Sequence, residues 1–248
     1  MKAMVLAAGL GTRLRPLTDQ QPKALVEIGG RTLLEITLTR LRQSGVREVI
    51  VNVHHFAGMI EQYLRSRNNF GMRIELSRED VPLDTGGGLK EAGWFFLEGG
   101  ATSDEPFLLH NVDVISAIDF GAMVAQHKQK NALATLAVQA RESSRQLLFD
   151  EHLQLCGRRT GRNKEAEVVR QAGNLTPLAF TGIHVISPRL LTLMTEDGVF
   201  SIVDTYLRLA AQGETIQAFR ADSFYWRDLG KLDQIQQAIE DFTHKRFS

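Results

Sequence analysis

Near the amino terminus an apolar run, Met4 to Ala8, stops at Gly9 and Gly11 and gives way at once to Arg13, Arg15, Pro16, Pro22 and Lys23. No other stretch restricts the fold as tightly as residues 6–35, LAAGLGTRLRPLTDQQPKALVEIGGRTLLE. A short apolar run that breaks into glycines is a buried strand feeding a tight loop. The glycines let the backbone take positive φ and bring its N–H groups close to an anion. Arginine grips phosphate through two parallel hydrogen bonds, and lysine supplies a point charge. Strand, glycine loop and fixed cations together read as a phosphate site. Two familiar phosphate loops are excluded: no GxxxxGK[ST] string occurs in the chain, and a dinucleotide fingerprint would need a third glycine where Leu14 stands.

The pattern that follows sets the fold class. Leu33, Leu34, Leu38 and Leu41 recur at helical spacing and stop at Gly45. Glu48 to Val53 is a β-branched strand, Met59, Ile60, Tyr63 and Leu64 mark a helix, and Met72 to Leu76 a further strand. Strands and helices alternating over short connections predict a parallel sheet covered on both faces, with ligands outside the carboxyl ends of its strands. Strands are also expected over 106–110, 132–138 and 178–187, a hairpin over 147–155, and helices over 120–130, 201–212 and 232–244. No linker, composition break or repeat divides residues 1–248, so a single α/β domain is expected.

Lys+Arg and Asp+Glu are equal at 29 each, which gives a nucleic-acid or anionic-membrane role no global electrostatic support. Cys156 is the only cysteine, so an internal disulfide and a thiolate metal cluster are both excluded. No run approaches the roughly 18 apolar residues of a membrane span. The opening apolar run is too short for a signal peptide, and a soluble, cytoplasmic protein is expected. His54 and His55 have no Cys, Asp or Glu at ligand spacing and read as loop residues. Asp113 closes a near-continuous apolar run, PFLLH, after Asn111 and Val112. A carboxylate at the end of a buried strand is a natural ligand for Mg²⁺, which prefers oxygen and takes one or two carboxylates plus substrate phosphates; a helix N-cap is the alternative.

The string GLGTRLRPLT followed by PKALV resembles the signature G-x-G-T-R-L-x-P-L-T…P-K-x-L-V of the sugar-1-phosphate nucleotidylyltransferases. The resemblance covers essentially the whole chain. It implies a Rossmann-like nucleotidyltransferase fold, a mixed and mainly parallel sheet with helices on both faces. It implies that Leu6, Ala8, Gly9, Gly11, Thr12 and Arg13 bind nucleotide, and that Lys23 lies near the reacting phosphates. In that family a loop at the place of PLDTGGGLK, residues 82–90, holds the nucleobase, so Gly86, Gly87, Glu79 and Thr85 are base-side candidates; Thr85 is alternatively a helix cap. FTG at 180–182 lies at the sugar in relatives, which makes Thr181 and Gly182, with Asn111, sugar-side candidates; a plain β-bulge is the alternative. FYWRDLG resembles W-x-D-x-G-T, whose aspartate is the second carboxylate on the metal, here Asp228.

Three departures accompany the match. Val112 replaces a glycine, Lys231 replaces a threonine, and no E-K-P element is present: either Lys164 of the basic segment 158–164, read as a solvated flap, or another cation substitutes, or the branch dispenses with it. The resemblance implies Mg²⁺-dependent transfer from an NTP, UTP favoured, to a sugar 1-phosphate, with Arg13, Lys23 and Asp113 catalytic and Mg²⁺ on Asp113 and Asp228. The TGGG string and the compact length resemble the N-acetylmuramate-1-phosphate uridylyltransferase branch, a role in cell-wall peptidoglycan recycling. Glucose 1-phosphate, mannose 1-phosphate or phosphocholine as acceptor with dTTP, GTP or CTP as donor, and a non-catalytic sugar-nucleotide sensor, are the alternatives.

Overall fold

The computed structural model describes residues 1–98, 105–161 and 165–243. Strand β1 (Lys2–Leu6) divides its side chains between two apolar clusters: Ala3 and Val5 enter one, Met4 the other. Burial on both faces is why the run is apolar throughout instead of at alternate positions. The chain then makes two short 3-10 turns, Thr12–Leu14 and Lys23–Leu25, and a small ribbon of β2 (Glu27–Ile28) with β3 (Arg31–Thr32). Helix α1 (Leu33–Gln43) starts at Thr32, whose hydroxyl accepts from the Glu35 N–H at 3.0 Å.

Next come β4 (Glu48–Val53), α2 (Ala57–Ser66), β5 (Arg73–Arg78), α3 (Asp84–Glu91), α4 (Gly93–Leu97), β6 (Phe107–Asn111) and β7 (Val114–Ser116). They are followed by α5 (Phe120–Gln129), β8 (Ala134–Gln139), β9 (Arg145–Phe149), β10 (Leu155–Thr160), β11 (Glu165–Val168) and β12 (Thr176–Ile186). The described chain ends with α6 (Arg189–Leu193), α7 (Ile202–Ala211), β13 (Ile216–Arg220), β14 (Trp226–Asp228) and α8 (Leu232–Thr243).

The main sheet runs β11-β10-β9-β12-β6-β1-β4-β5, with β8 paired to β12 and β13 to β8. Strands β6, β1, β4 and β5 are parallel, as are β8 and β13, while β12 runs against both β6 and β8. Helices α1, α2, α5 and α8 supply one apolar cluster, and α3, α4, α6 and α7 the other. This is the α/β arrangement that the alternating pattern predicts. The carboxyl ends of β5, β4, β1 and β6 open on one edge, and the register Ile183↔His110 brings Gly182 of β12 to the same edge beside Asn111.

Residues 84–91 are helix, so the TGGG run is not the loop the sequence suggests. Arg158 lies in strand β10 and pairs with Glu167 and Asp204, so the basic segment is sheet there and not a solvated flap. Arg162, Asn163 and Lys164 lie outside the described residues, as does 244–248. Strands β11 and β13 and helix α6 carry no signal strong enough to read from the sequence. Asp228 ends a two-stranded ribbon, β14 with β7, in which it pairs with Val114. Among the described residues no helix is long and apolar enough to cross a membrane.

Candidate active site

The carboxyl ends of β1, β4, β5 and β6 enclose a cavity of about 510 Å³, well sized for a small ligand. Leu6, Ala8, Gly9, Gly11, Thr12 and Arg13 line it from the β1 loop, Lys23 from the second 3-10 turn, and Asn111 and Asp113 from the end of β6. Gly11 takes φ +64 and opens the first 3-10 turn, while Thr18 donates its hydroxyl to the Gly11 carbonyl at 2.9 Å. Positive φ explains that glycine from the protein alone. Gly9 is different: a methyl group there would meet nothing within 4 Å among the described residues.

Lys23 is buried and its Nζ bonds Asp113 Oδ2, a close ion pair at the cavity wall. Arg13 makes no ion pair among the described residues. Its Nη2 and Asp228 Oδ1 each lie 2.8 Å from where a methyl group on Gly230 would sit, so Gly230 allows both groups to approach one point. The two aspartates are tied through the backbone: the Leu229 N–H donates to the Asp113 carbonyl at 2.8 Å, and Asp228 Oδ1 accepts from the Gly230 N–H at 2.6 Å. Gly230 lines the cavity, and Asp228, which does not, lies exposed beside it. Among the described residues no cluster of three or more His, Cys, Asp or Glu could cage a metal. Two oxygen-donor side chains with room left over still match Mg²⁺, which keeps waters and substrate phosphates in its shell.

A buried polar chain braces the other end of the cavity. The Ala7 N–H donates to Asn52 Oδ1 at 2.7 Å, Asn52 Nδ2 donates to Glu79 Oε1 at 2.7 Å, and the Leu83 N–H donates to Glu79 Oε2 at 2.9 Å. His54 Nδ1 lies 2.8 Å from the Glu79 carbonyl oxygen, the loop role read for it. Asn52 was not among the residues singled out from the sequence. Its signal was available: an amide inside the apolar run VIVNV has no business in a sheet core unless paired.

Thr85 lines the cavity, but it is not the cap of α3: the cap position is Leu83, and Thr85 Oγ1 accepts from the Ile202 N–H at 3.0 Å. Gly86 and Gly87 do not line the cavity. Their N–H groups donate to the Phe200 carbonyl at 2.9 and 3.3 Å, and methyl groups on them would strike Phe200 and the Gly198 carbonyl. The glycines therefore admit segment 198–200, which brings Val199 into the cavity wall. Asp84, also in the wall, takes φ +60.

On the β12 side, Thr181 turns its hydroxyl into the core and donates to the Ala137 carbonyl at 2.8 Å, so it presents no side-chain group to a ligand. Gly182 has φ +80 at an irregularity in the β8–β12 register, where a methyl group would lie 2.7 Å from Asn111 Nδ2. Val112, the departure from glycine, buries its side chain in the core and donates its N–H to the Leu6 carbonyl at 3.1 Å. His110, beside Asn111, is held down at about 4 by burial and stays neutral.

The sequence profile of the nucleotidyl transferase family matches residues 2–147. An N-acetylmuramate alpha-1-phosphate uridylyltransferase of Caulobacter vibrioides is 37% identical over 222 residues, covering 85% of this chain and 85% of that protein. A UTP–glucose-1-phosphate uridylyltransferase of Synechocystis is 31% identical over 96% of this chain and 62% of its own length. Among solved structures, a putative glucose-1-phosphate thymidylyltransferase from Bacillus anthracis superposes with a TM-score of 0.78 at 18% identity, over 97% of this chain and 94% of that one.

Proposed function

The chain belongs to the nucleotidyl transferase family, an enzyme of sugar-1-phosphate nucleotidylyl transfer, and on that premise we propose that its donor is UTP and its acceptor N-acetylmuramate 1-phosphate. The relative from Caulobacter vibrioides supports the branch through its coverage of both chains. The observation that carries the reading is the gathering of Arg13, Lys23 and Asp113 around one cavity entered by a glycine loop, with Asp228 Oδ1 bonded to the Gly230 N–H.

In this reading a phosphate oxygen of the sugar 1-phosphate attacks the α-phosphorus of the NTP. The new P–O bond forms as the bond to the β-phosphate breaks, and pyrophosphate leaves. The attacking oxygen is already ionised at neutral pH, so no general base is needed, and catalysis is positioning plus charge stabilisation. Lys23 holds Asp113 in place and puts positive charge beside the α-phosphate. Arg13 neutralises the departing pyrophosphate. Asp113 and Asp228 would hold Mg²⁺, which when bound screens the phosphate charges. Gly9 fits close backbone approach to the nucleotide, since among the described residues nothing lies within 4 Å of where a methyl group would sit. Glu79, fixed by Asn52 and the Leu83 N–H, and Thr85 stand on the base side; Asn111 stands toward the sugar. The same reading places the enzyme in the cytoplasm, with UTP, in the reuse of cell-wall sugars.

Pyrophosphate release with Mg²⁺, crossing the common NTPs and dTTP with a panel of sugar 1-phosphates, tests it. UTP with N-acetylmuramate 1-phosphate is expected to be the best pair. A better pair elsewhere in the panel would overturn the substrates, and silence across the panel would overturn the activity.

A further inference from the structure

Two buried polar atoms without a hydrogen-bond partner among the described residues, Asn111 Oδ1 and Arg141 Nε, belong to one contiguous group at the carboxyl edge of the sheet. Arg141 follows β8 by two residues and none of the motifs includes it. Its guanidinium lies 3.9 Å from the centre of the Trp226 ring, and Nη2 donates to the Phe180 carbonyl at 3.0 Å. Trp226 in turn donates Nε1 to the Thr181 carbonyl at 2.8 Å, and the next residue, Gly182, gives way to the Asn111 amide. Arg141, Trp226, the Phe180–Gly182 irregularity and Asn111 thus form an unbroken row from β8 to the cavity wall.

The row lies on the opposite side of Lys23 and Asp113 from Asn52 and Glu79, because β6 separates β12 and β8 from β1, β4 and β5. If nucleotide occupies the β4–β5 side, this is where the acceptor goes. Contact with the indole ring holds the guanidinium in place, and a guanidinium carries forked N–H donors that suit an oxyanion. Among the described residues one of its N–H groups is bonded, to the Phe180 carbonyl. Burial works against the charge of Arg141, while Asp228 favours it.

We propose that Arg141, clamped on Trp226, binds an oxyanion of the acceptor sugar, and that Asn111 Oδ1 accepts from an N–H or O–H of the same sugar. The proposal rests on the sugar-1-phosphate reading above. The oxyanion is either a carboxylate carried by the sugar or its 1-phosphate, and two acceptors separate these: N-acetylmuramate 1-phosphate and N-acetylglucosamine 1-phosphate, which lacks the carboxylate.

The test uses the full chain as wild type, Arg141→Gln and Arg141→Lys. Steady-state kinetics give KM for each acceptor and for UTP, and calorimetric titration of each acceptor reports binding without turnover. Arg141→Gln is expected to raise acceptor KM and Kd tenfold or more and to leave UTP KM within twofold. Arg141→Lys keeps the charge and the aliphatic stem but loses the fork, and is expected to fold and to fall between the two. A loss confined to the muramate identifies the carboxylate; an equal loss with both identifies the phosphate. Unchanged acceptor KM and Kd, or a UTP KM that rises in step, overturns the proposal while leaving the activity standing. Wild-type chain that turns over no pair and binds neither acceptor overturns both.

Discussion

Lys23 and Asp113 are each half of a pair whose partner stands 90 residues away. The ammonium is almost wholly covered, so its charge is tolerable only beside the carboxylate. Asp113→Asn is therefore expected to do two separable things. It should lower kcat by about a thousandfold or more through lost phosphate positioning. It should also cost about 2 kcal/mol of unfolding free energy, less than a fully buried pair because Asp113 is partly exposed. Lys23→Met in the same chain should return part of that stability and none of the activity. Denaturant melts of both single variants and the double variant measure the coupling, and strictly additive losses would show that the pair contributes none. Arg13, Lys23 and Asp113 were legible from the sequence because each stands in a dense local string. Arg141 was not, because register makes it part of the site: it meets Phe180 and Trp226 across separate elements, while the amide of Asn52 stands out in its apolar run but its partner Ala7, 45 residues away, does not.

Helix α3 shows the same difficulty at the next scale. Each interior glycine costs a helix roughly 1 kcal/mol relative to alanine, so three in a row argue for a loop. Here tertiary packing overrides that preference, because only glycine lets segment 198–200 lie against the first turns and accept two N–H bonds on the Phe200 carbonyl. The alternating strands and helices before residue 80 could be read because the helices bury a periodic face and the central strands, covered on both sides, are continuous apolar runs. The ribbon of β7 with β14 could not, since neither three-residue strand has a period long enough to see. Gly87→Ala should destabilise the chain by about 2–3 kcal/mol, because the added methyl meets backbone that cannot yield. Gly9→Ala should stay within about 0.5 kcal/mol of wild type, with any effect appearing in the UTP KM. Thermal melts of the two variants check this directly; equal losses would mean that the 198–200 contact is not what requires glycine.

For the molecule as a whole, two apolar clusters on opposite faces of the sheet also enclose three histidines. Burial lowers His110 and His127 to about 4 and His184 to about 3, with the neighbouring His110 adding to the last shift. Their unfolded values lie near 6.5. Between those limits the unfolded chain binds more protons than the folded one, so stability is complete above about pH 6.5 and falls as pH drops toward 4. Each histidine contributes on the order of 3 kcal/mol across the whole window. The urea midpoint should be clearly lower at pH 5 than at pH 7.5, and a flat profile would mean that the rings are not neutral and buried. The wall formed by Asp84, Thr85 and Val199 is built from different stretches of chain than the group of Arg13, Lys23 and Asp113. A substitution at position 199 can therefore reshape that wall while the group of Arg13, Lys23 and Asp113 stays as it is, so one side of the cavity is free to vary without the other.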